Sequence, residues 1–149
     1  MPSNKSRNPI LLFLPGILLL AALPACSGQA EHQLSMLPMG QMPAEVQTAP
    51  ASVQQAYRFA AANPDLMKQI PCYCGCGAVG HTSNYSCYVQ GVAADGTISF
   101  DHHALGCSLC VDITQDAMRL LNQGKSPQEI KAYVDATYAR YGPSNMPKE

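Results

Sequence analysis

Apolar residues recur with helical spacing in three stretches of the chain. The first stretch covers residues 53–61, the second 107–123 and the third 127–141. Side chains three and four residues apart share one face of a helix, so each stretch predicts a helix. Ser126 and Glu129 form a capping-box pattern before the third helix, and Gly124 and Gly142 follow the second and third as stop signals.

Shorter signals complete the predicted fold. Pro64 ends the first helix and begins a short helical turn, for which Asn63 is the expected cap. Asp95-Gly96 lies between apolar runs at 86–92 and 97–100, which predicts a β-hairpin. We therefore expect a mainly α domain of three to four helices with a Cys-rich loop and one short hairpin. The tyrosine stripe of the last helix, Tyr133, Tyr138 and Tyr141, is expected in the core.

The N-terminus has the pattern of a bacterial lipoprotein leader. Lys5 and Arg7 precede an apolar run, 10–23, that is shorter than the roughly 20 apolar residues of a membrane-spanning helix. The run ends in LPAC, which resembles the lipobox at which a cysteine is lipidated and becomes the first mature residue. The proline is unusual there, so ordinary signal-peptidase cleavage is the alternative. We expect a leader over residues 1–25 and a palmitate-bearing anchor at Cys26 in the cell envelope.

Residues 26–50 are predicted to be a flexible tether, because prolines and polar residues interrupt any periodicity. The folded domain then covers 51–142, followed by a tail, 143–149. Met36, Met39 and Met42 are spaced by three within the tether, and thioether sulfur is a soft ligand that suits Cu(I). They are a secondary candidate metal site. The alternative is that these adaptable apolar side chains pack on the domain surface.

The charges argue against a nucleic-acid partner. Nine Lys and Arg stand against ten Asp and Glu, and the basic residues are spread singly instead of forming the patch that binds phosphates. The sequence also lacks a phosphate loop and an H-E-x-x-H motif. A binding protein is therefore expected more than an enzyme.

The sequence between positions 72 and 110 concentrates metal-ligating side chains. Residues two apart in an extended chain do not reach disulfide geometry, so a C-x-C-x-C run suits a shared ion better than three separate disulfides. At the N-terminal end of a helix, the helix dipole favours the thiolate form of a C-x-x-C pair. The six cysteines are Cys72, Cys74, Cys76, Cys87, Cys107 and Cys110.

Three histidines lie among these cysteines. His102 and His103 are adjacent and therefore point apart, so one is expected to be a ligand and the other exposed. His81, between Cys76 and Cys87, fits a ligand and a hydrogen-bonding loop residue equally well.

Two other interpretations of the cysteines stay open at this level. A small secreted domain often depends on disulfides, and three of them would make the protein a stapled binding module without metal. Cys107 and Cys110 also have the spacing of a thiol–disulfide redox pair. The chain does not show the alternating strands and helices of a thioredoxin-like domain, which argues against that redox role.

Residues 71–76 read PCYCGC, and the pattern continues through Gly80-His81, Cys87, Asp101-His102-His103 and the C-x-x-C pair. Over residues 52–141 the chain resembles the bacterial secreted proteins and lipoproteins named for this motif. The resemblance implies a cysteine-rich extracytoplasmic protein for which heavy-metal or copper binding is supposed. It assigns no catalytic residues.

The ligand chemistry favours Cu(I) as the metal. Six thiols exceed the four ligands of one zinc site, and soft sulfur ligands select thiophilic ions. Zinc is the second choice. The expected partners are the membrane, through the lipid anchor, the metal ion itself and an envelope metalloprotein or metal-delivery protein.

Overall fold

The computed structural model describes residues 34–148. Within that range, three long helices, three single-turn helices and one hairpin form the regular structure. The elements are α1 (Ala44–Gln47), α2 (Ala51–Ala62), α3 (Pro64–Met67), β1 (Val89–Val92), β2 (Ile98–Phe100), α4 (His103–Gly106), α5 (Ser108–Asn122) and α6 (Pro127–Tyr138). Short 3-10 turns cover Met39–Gln41, Cys76–Val79, Tyr85–Cys87 and Ala139–Tyr141. The predicted mainly α fold is confirmed.

Helix α5 is the centre of the domain and packs against both α2 and α6. Its inward face carries Cys110, Ile113, Thr114 and Ala117, all fully buried, at the three- and four-residue spacing that the sequence showed. Cys110 is one turn from the helix N-terminus, so the same face that forms the core also places a thiol at the end of the helix.

The ends of α5 and α6 follow from their local sequences. Gly124 has φ of +77°, and the N–H groups of Gly124 and Lys125 donate to the carbonyls of Leu121 and Leu120 in a Schellman arrangement. Ser126 and Glu129 then form the predicted capping box at the start of α6. The tight turn between the two helices brings α6 back along α5.

Asn63 departs from its predicted role. Its side chain makes no cap hydrogen bond to α3. The Nδ2 group donates instead to the carbonyls of Phe59, at 2.8 Å, and Ser35, at 2.9 Å. Asn63 therefore closes the C-terminal end of α2 and ties it to the preceding segment.

The chain before α2 packs on the domain, where the sequence predicted a flexible tether up to residue 50. Met42 and Val46 are buried, and Met36 and Met39 pack against the core. Arg58 Nε donates to the Leu37 carbonyl at 2.6 Å and fixes the segment to α2. Pro43 and Pro50 sit directly before α1 and α2, where proline starts a helix instead of breaking one. Residues 26–33 of the predicted tether lie outside the described residues.

Two of the predicted core tyrosines are at the surface. Ile130, Val134 and Tyr138 are buried at a spacing of four, and they fill the inward face of α6. Tyr133 lies at the edge of that face with the Arg119 guanidinium over its ring, and Tyr141 follows the helix and is exposed. Among the described residues, no helix combines the length and apolarity that a membrane crossing requires.

The hairpin is antiparallel, with Val89 opposite Phe100 and Val92 opposite Ile98, as Asp95-Gly96 predicted. Beyond it, the N–H of Asp101 donates to the Tyr88 carbonyl at 2.9 Å. Asp101 is thereby held at the base of the hairpin, next to α4. The hairpin positions residues 101–103 beside the cysteine-rich loop.

Candidate metal centre

Three separated segments deliver the cysteines to one place. The loop after Pro71 supplies Cys72, Cys74 and Cys76, and Gly75 within it has φ of +82°, a conformation that favours glycine. The Tyr85–Cys87 turn supplies Cys87, and the entry to α5 supplies Cys107 and Cys110. The predicted convergence of thiols from both halves of the domain is therefore present in the structure.

The sulfur atoms contact one another directly. Cys72 Sγ lies 3.4 Å from both Cys74 Sγ and Cys110 Sγ, and Cys74 and Cys110 are 3.6 Å apart. Cys76 Sγ lies 3.7 Å from Cys87 Sγ. A disulfide requires about 2.05 Å. All six cysteines from 72 to 110 are free thiols here.

The donor atoms fall into overlapping groups, in each of which all atoms lie within 4.8 Å of one another. Two groups have four members, and His103 belongs to both. The groups are Cys74, His103, Cys107 and Cys110; Cys76, His81, Cys87 and His103; Cys72, Cys74 and Cys76; and Cys72, Cys87 and Cys110. This donor set of thiols and imidazoles is one that soft and borderline metal ions prefer.

The two adjacent histidines lie in different surroundings. His103 Nε2 lies 3.4 Å from Cys74 Sγ, whereas His102 is exposed and lies outside all four groups. A cavity of about 490 Å³ opens beside the cluster, and His81, His102 and His103 all line it. His102 therefore belongs to the mouth of the site.

His81 has the arrangement expected of a metal ligand. Its Nε2 lies 3.4 Å from Asp101 Oδ2, and its side chain is only 11% exposed. Its Nδ1 is buried and has no hydrogen-bond partner among the residues that the structure describes. A buried polar atom without a partner is costly. A metal ion at the cysteines would supply that partner, so the residues fit a bound metal.

Asp101 contacts both His81 and His103. It was not predicted as a site residue from the sequence. Its Oδ1 accepts from the backbone N–H of His103 at 2.7 Å, while Oδ2 faces His81. The Tyr57 hydroxyl donates to its carbonyl at 2.7 Å. Carboxylates in this position orient metal-binding histidines and raise their basicity. The D-H-H sequence was a signal for this role, because the carboxylate directly precedes the two histidines.

Asn145 holds the cysteine loop from the C-terminal segment, which the sequence predicted to be only a tail. Its Oδ1 accepts from the Cys72 N–H at 2.7 Å, and its Nδ2 donates to Cys76 Sγ at 3.4 Å. Its own N–H donates to the Cys72 carbonyl at 3.0 Å. These three hydrogen bonds tie the C-terminal segment to both ends of the C-x-C-x-C run.

A buried polar network anchors the other side of the cluster. The Tyr88 hydroxyl contacts the Cys110 carbonyl at 2.8 Å and Thr114 Oγ1 at 2.7 Å. Asn84 Nδ2 donates to the same Thr114 oxygen at 2.8 Å. Asn84 and Tyr88 flank the Tyr85–Cys87 turn and Thr114 lies on α5, so the network fixes Cys110 relative to that turn.

The thiols differ in their readiness to ionise. Hydrogen bonds from Cys72 and Cys87 lower the pKa of the Cys110 thiol to about 6. Burial, with a further contribution from Cys76, raises the pKa of Cys74 above its usual range. The pKa of Cys87 is also raised, because Cys110 and Cys72 take its hydrogen bonds. One thiolate stabilised by neighbouring thiols gives an incoming cation its first anchoring ligand.

Two further sites were predicted from the sequence, the three methionines and Cys26. Met36, Met39 and Met42 pack against or within the core, so apolar packing is the role that the structure shows for them. Cys26, the predicted lipidation site, lies outside the described residues.

Comparison with known proteins places the chain in a family. A search of curated proteins and a search of solved structures found no significant match. The family described as "Protein of unknown function with PCYCGC motif" matches residues 24–148, which include the entire cysteine cluster and Asn145. The chain therefore belongs to the PCYCGC-motif family, as the loop sequence indicated.

Proposed function

We propose that this protein binds a thiophilic metal ion, with Cu(I) preferred, at the outer side of a bacterial membrane. The observation that carries the proposal is the convergence of six free thiols with the imidazole of His81, whose buried Nδ1 has no hydrogen-bond partner within residues 34–148. Disulfide-bonded cysteines would need no imidazole beside them. A cluster of thiols that includes an oriented histidine is suited to ligation.

Cu(I) suits this donor set better than zinc does. Zinc uses four ligands in a structural site, whereas the cluster offers six sulfurs and two imidazoles within overlapping groups. Thiolate-rich sites select Cu(I) among the available metals because both partners are soft. Zinc is the competing ion that a metal analysis has to measure.

The location of the protein is part of the proposal. The basic and apolar leader with LPAC at residues 23–26 supports export and attachment through a lipid on Cys26. In that compartment the protein would take up metal ions at the membrane surface, or pass them to an envelope metalloprotein. The cavity lined by His102 and His103 supports exchange, since it gives solvent access beside the donor groups.

The test of the proposal is the state of the protein as isolated from the envelope. Metal content and intact mass, measured with and without thiol alkylation under denaturing conditions, separate the interpretations. Bound copper, together with six alkylatable cysteines after its removal, is the expected result. Three intramolecular disulfides without metal would instead show a stapled binding module.

A further inference from the structure

We propose that the cluster is a polynuclear centre that holds at least two Cu(I) ions, with the Cys72 thiolate as a ligand shared between them. This inference rests on the proposed metal binding and specifies how many ions the site takes. It is carried by the two four-donor groups and by the position of Cys72 between them.

A single ion cannot use all of these donors. A metal–sulfur bond is about 2.3 Å, so sulfurs bound to one tetrahedral ion lie about 3.8 Å apart. The Cys76–Cys87 separation of 3.7 Å and the Cys74–Cys110 separation of 3.6 Å each fit that value. These two pairs belong to different four-donor groups. The structure thus offers two sets of sulfurs already at ligand spacing.

The first set contains Cys74, Cys107, Cys110 and His103, whose Nε2 lies beside Cys74. The second set contains Cys76, Cys87 and His81, in addition to the shared His103. An ion in the first set would leave the buried Nδ1 of His81 without a partner. His81 belongs to the second set and not to the first, so only an ion in the second set uses this imidazole, and both sets have a reason to be filled.

Cys72 joins the two sets. Its sulfur is 3.4 Å from that of Cys110, which belongs to the first set. Cys72 also shares one three-donor group with Cys76 and another with Cys87, and both of these residues belong to the second set. The residue is completely buried, so its thiolate would have no solvent to stabilise it. A thiolate sulfur has more than one lone pair and can bind two cations at once. Two adjacent cations would therefore stabilise the charge at this central position.

The arrangement also lowers the repulsion among neighbouring thiolates. Sulfurs at 3.4 to 3.7 Å cannot all ionise around one monovalent ion without strong like-charge repulsion. A second cation between them offsets that repulsion and binds more easily once the first has removed the thiol protons. We therefore expect the ions to bind cooperatively.

Native mass spectrometry of the reduced protein, titrated with Cu(I), tests this inference. The expected result is a plateau at two or more ions per chain, with little one-ion species at intermediate loading. Cys72→Ser should lower the plateau, whereas Asp112→Asn, which changes an exposed residue of α5 outside the donor groups, should leave it unchanged. A metal–metal scattering shell in the X-ray absorption spectrum of the loaded wild type provides evidence that does not depend on the folding of a variant.

The outcomes separate the two proposals. A plateau at one ion would overturn the polynuclear centre but leave Cu(I) binding intact. No bound ion would overturn both. A Cys72→Ser protein that is folded and keeps the wild-type plateau would contradict the role of Cys72 as the shared ligand.

Discussion

The Nε2 of His81 lies 3.4 Å from Oδ2 of Asp101, while Nδ1 of the same ring is buried without a hydrogen-bond partner among residues 34–148. The same carboxylate accepts the backbone N–H of His103. Asp101, at the base of the hairpin, thus orients the His81 ring on one side and the start of α4 on the other. The two contacts of Asp101 therefore set the positions of His81 and His103 at the site.

Substitution of this carboxylate should weaken metal binding without removing a ligand. We expect Asp101→Asn to lower Cu(I) affinity by about tenfold to a hundredfold, the usual effect of losing an orienting partner of a metal-binding histidine. Competition with a chromophoric Cu(I) chelator measures the change. Asp112→Asn is the matched control, because Asp112 is exposed on α5. Equal affinities for Asp101→Asn and the wild type would remove Asp101 from the site.

The Asn145 contacts should contribute to the stability of the metal-free protein. Asn145→Ala removes the side-chain acceptor of the Cys72 N–H and the amide donor to Cys76 Sγ. Loss of a partner for a largely buried polar group costs about 1–3 kcal/mol. Urea unfolding of the reduced apoprotein measures this loss, with the exposed Lys148→Ala as control. If both variants unfold at the wild-type urea concentration, the tail does not hold the loop.

The capping box predicts a pH-dependent contribution to stability. The Ser126 backbone N–H, together with Lys125, lowers the pKa of Glu129 to about 2, from an ordinary value of 4.5. A carboxylate with a depressed pKa stabilises the fold above its unfolded pKa, and the contribution is lost as the pH falls towards 2. Glu129→Gln should therefore unfold at lower urea than the wild type at pH 7. At pH 3 the gap should narrow, and a constant gap would exclude the charge as its cause.

Lipidation of Cys26 is tested in cells with a palmitate analogue. The wild type should incorporate the label, and Cys26→Ser should not, because the serine offers no thiol for attachment of the lipid. Cys74→Ser is the matched control, since it removes a thiol from the cluster and leaves the LPAC sequence intact. Equal labelling of wild type and Cys26→Ser would contradict a lipid anchor at Cys26.

Sequence periodicity was sufficient to predict the elements that have a buried apolar face and a recognisable end signal. Helices α2, α5 and α6 and the hairpin follow from spacing and caps that are local in the chain. The packing of residues 34–50 could not be read in this way, because it depends on contacts such as the one between Leu37 and Arg58. Short helices that begin after a proline also have little periodicity to detect.

The clustering of cysteines and histidines was predictable from the sequence, but the residues that support the cluster were not. Cysteine and histidine have distinctive chemistry, so their density alone marked the cluster. Asn145 is an ordinary polar residue 69 positions after Cys76, and no local pattern links the two. The tyrosine stripe of α6 was misplaced for a related reason. A helix buries only part of its circumference, and the position of α5 decides that Tyr138 is inside while Tyr133 is not.

Binding of Cu(I) by the reduced protein tests the central claim most directly. The wild type should hold Cu(I) against a competing chelator, and Cys74→Ser/Cys107→Ser should lose affinity and capacity because both thiols belong to one four-donor group. Both residues are only half-buried, so serine is tolerated there. Unchanged Cu(I) affinity in this double variant, or a reduced wild type that yields all its Cu(I) to the chelator, would contradict the account.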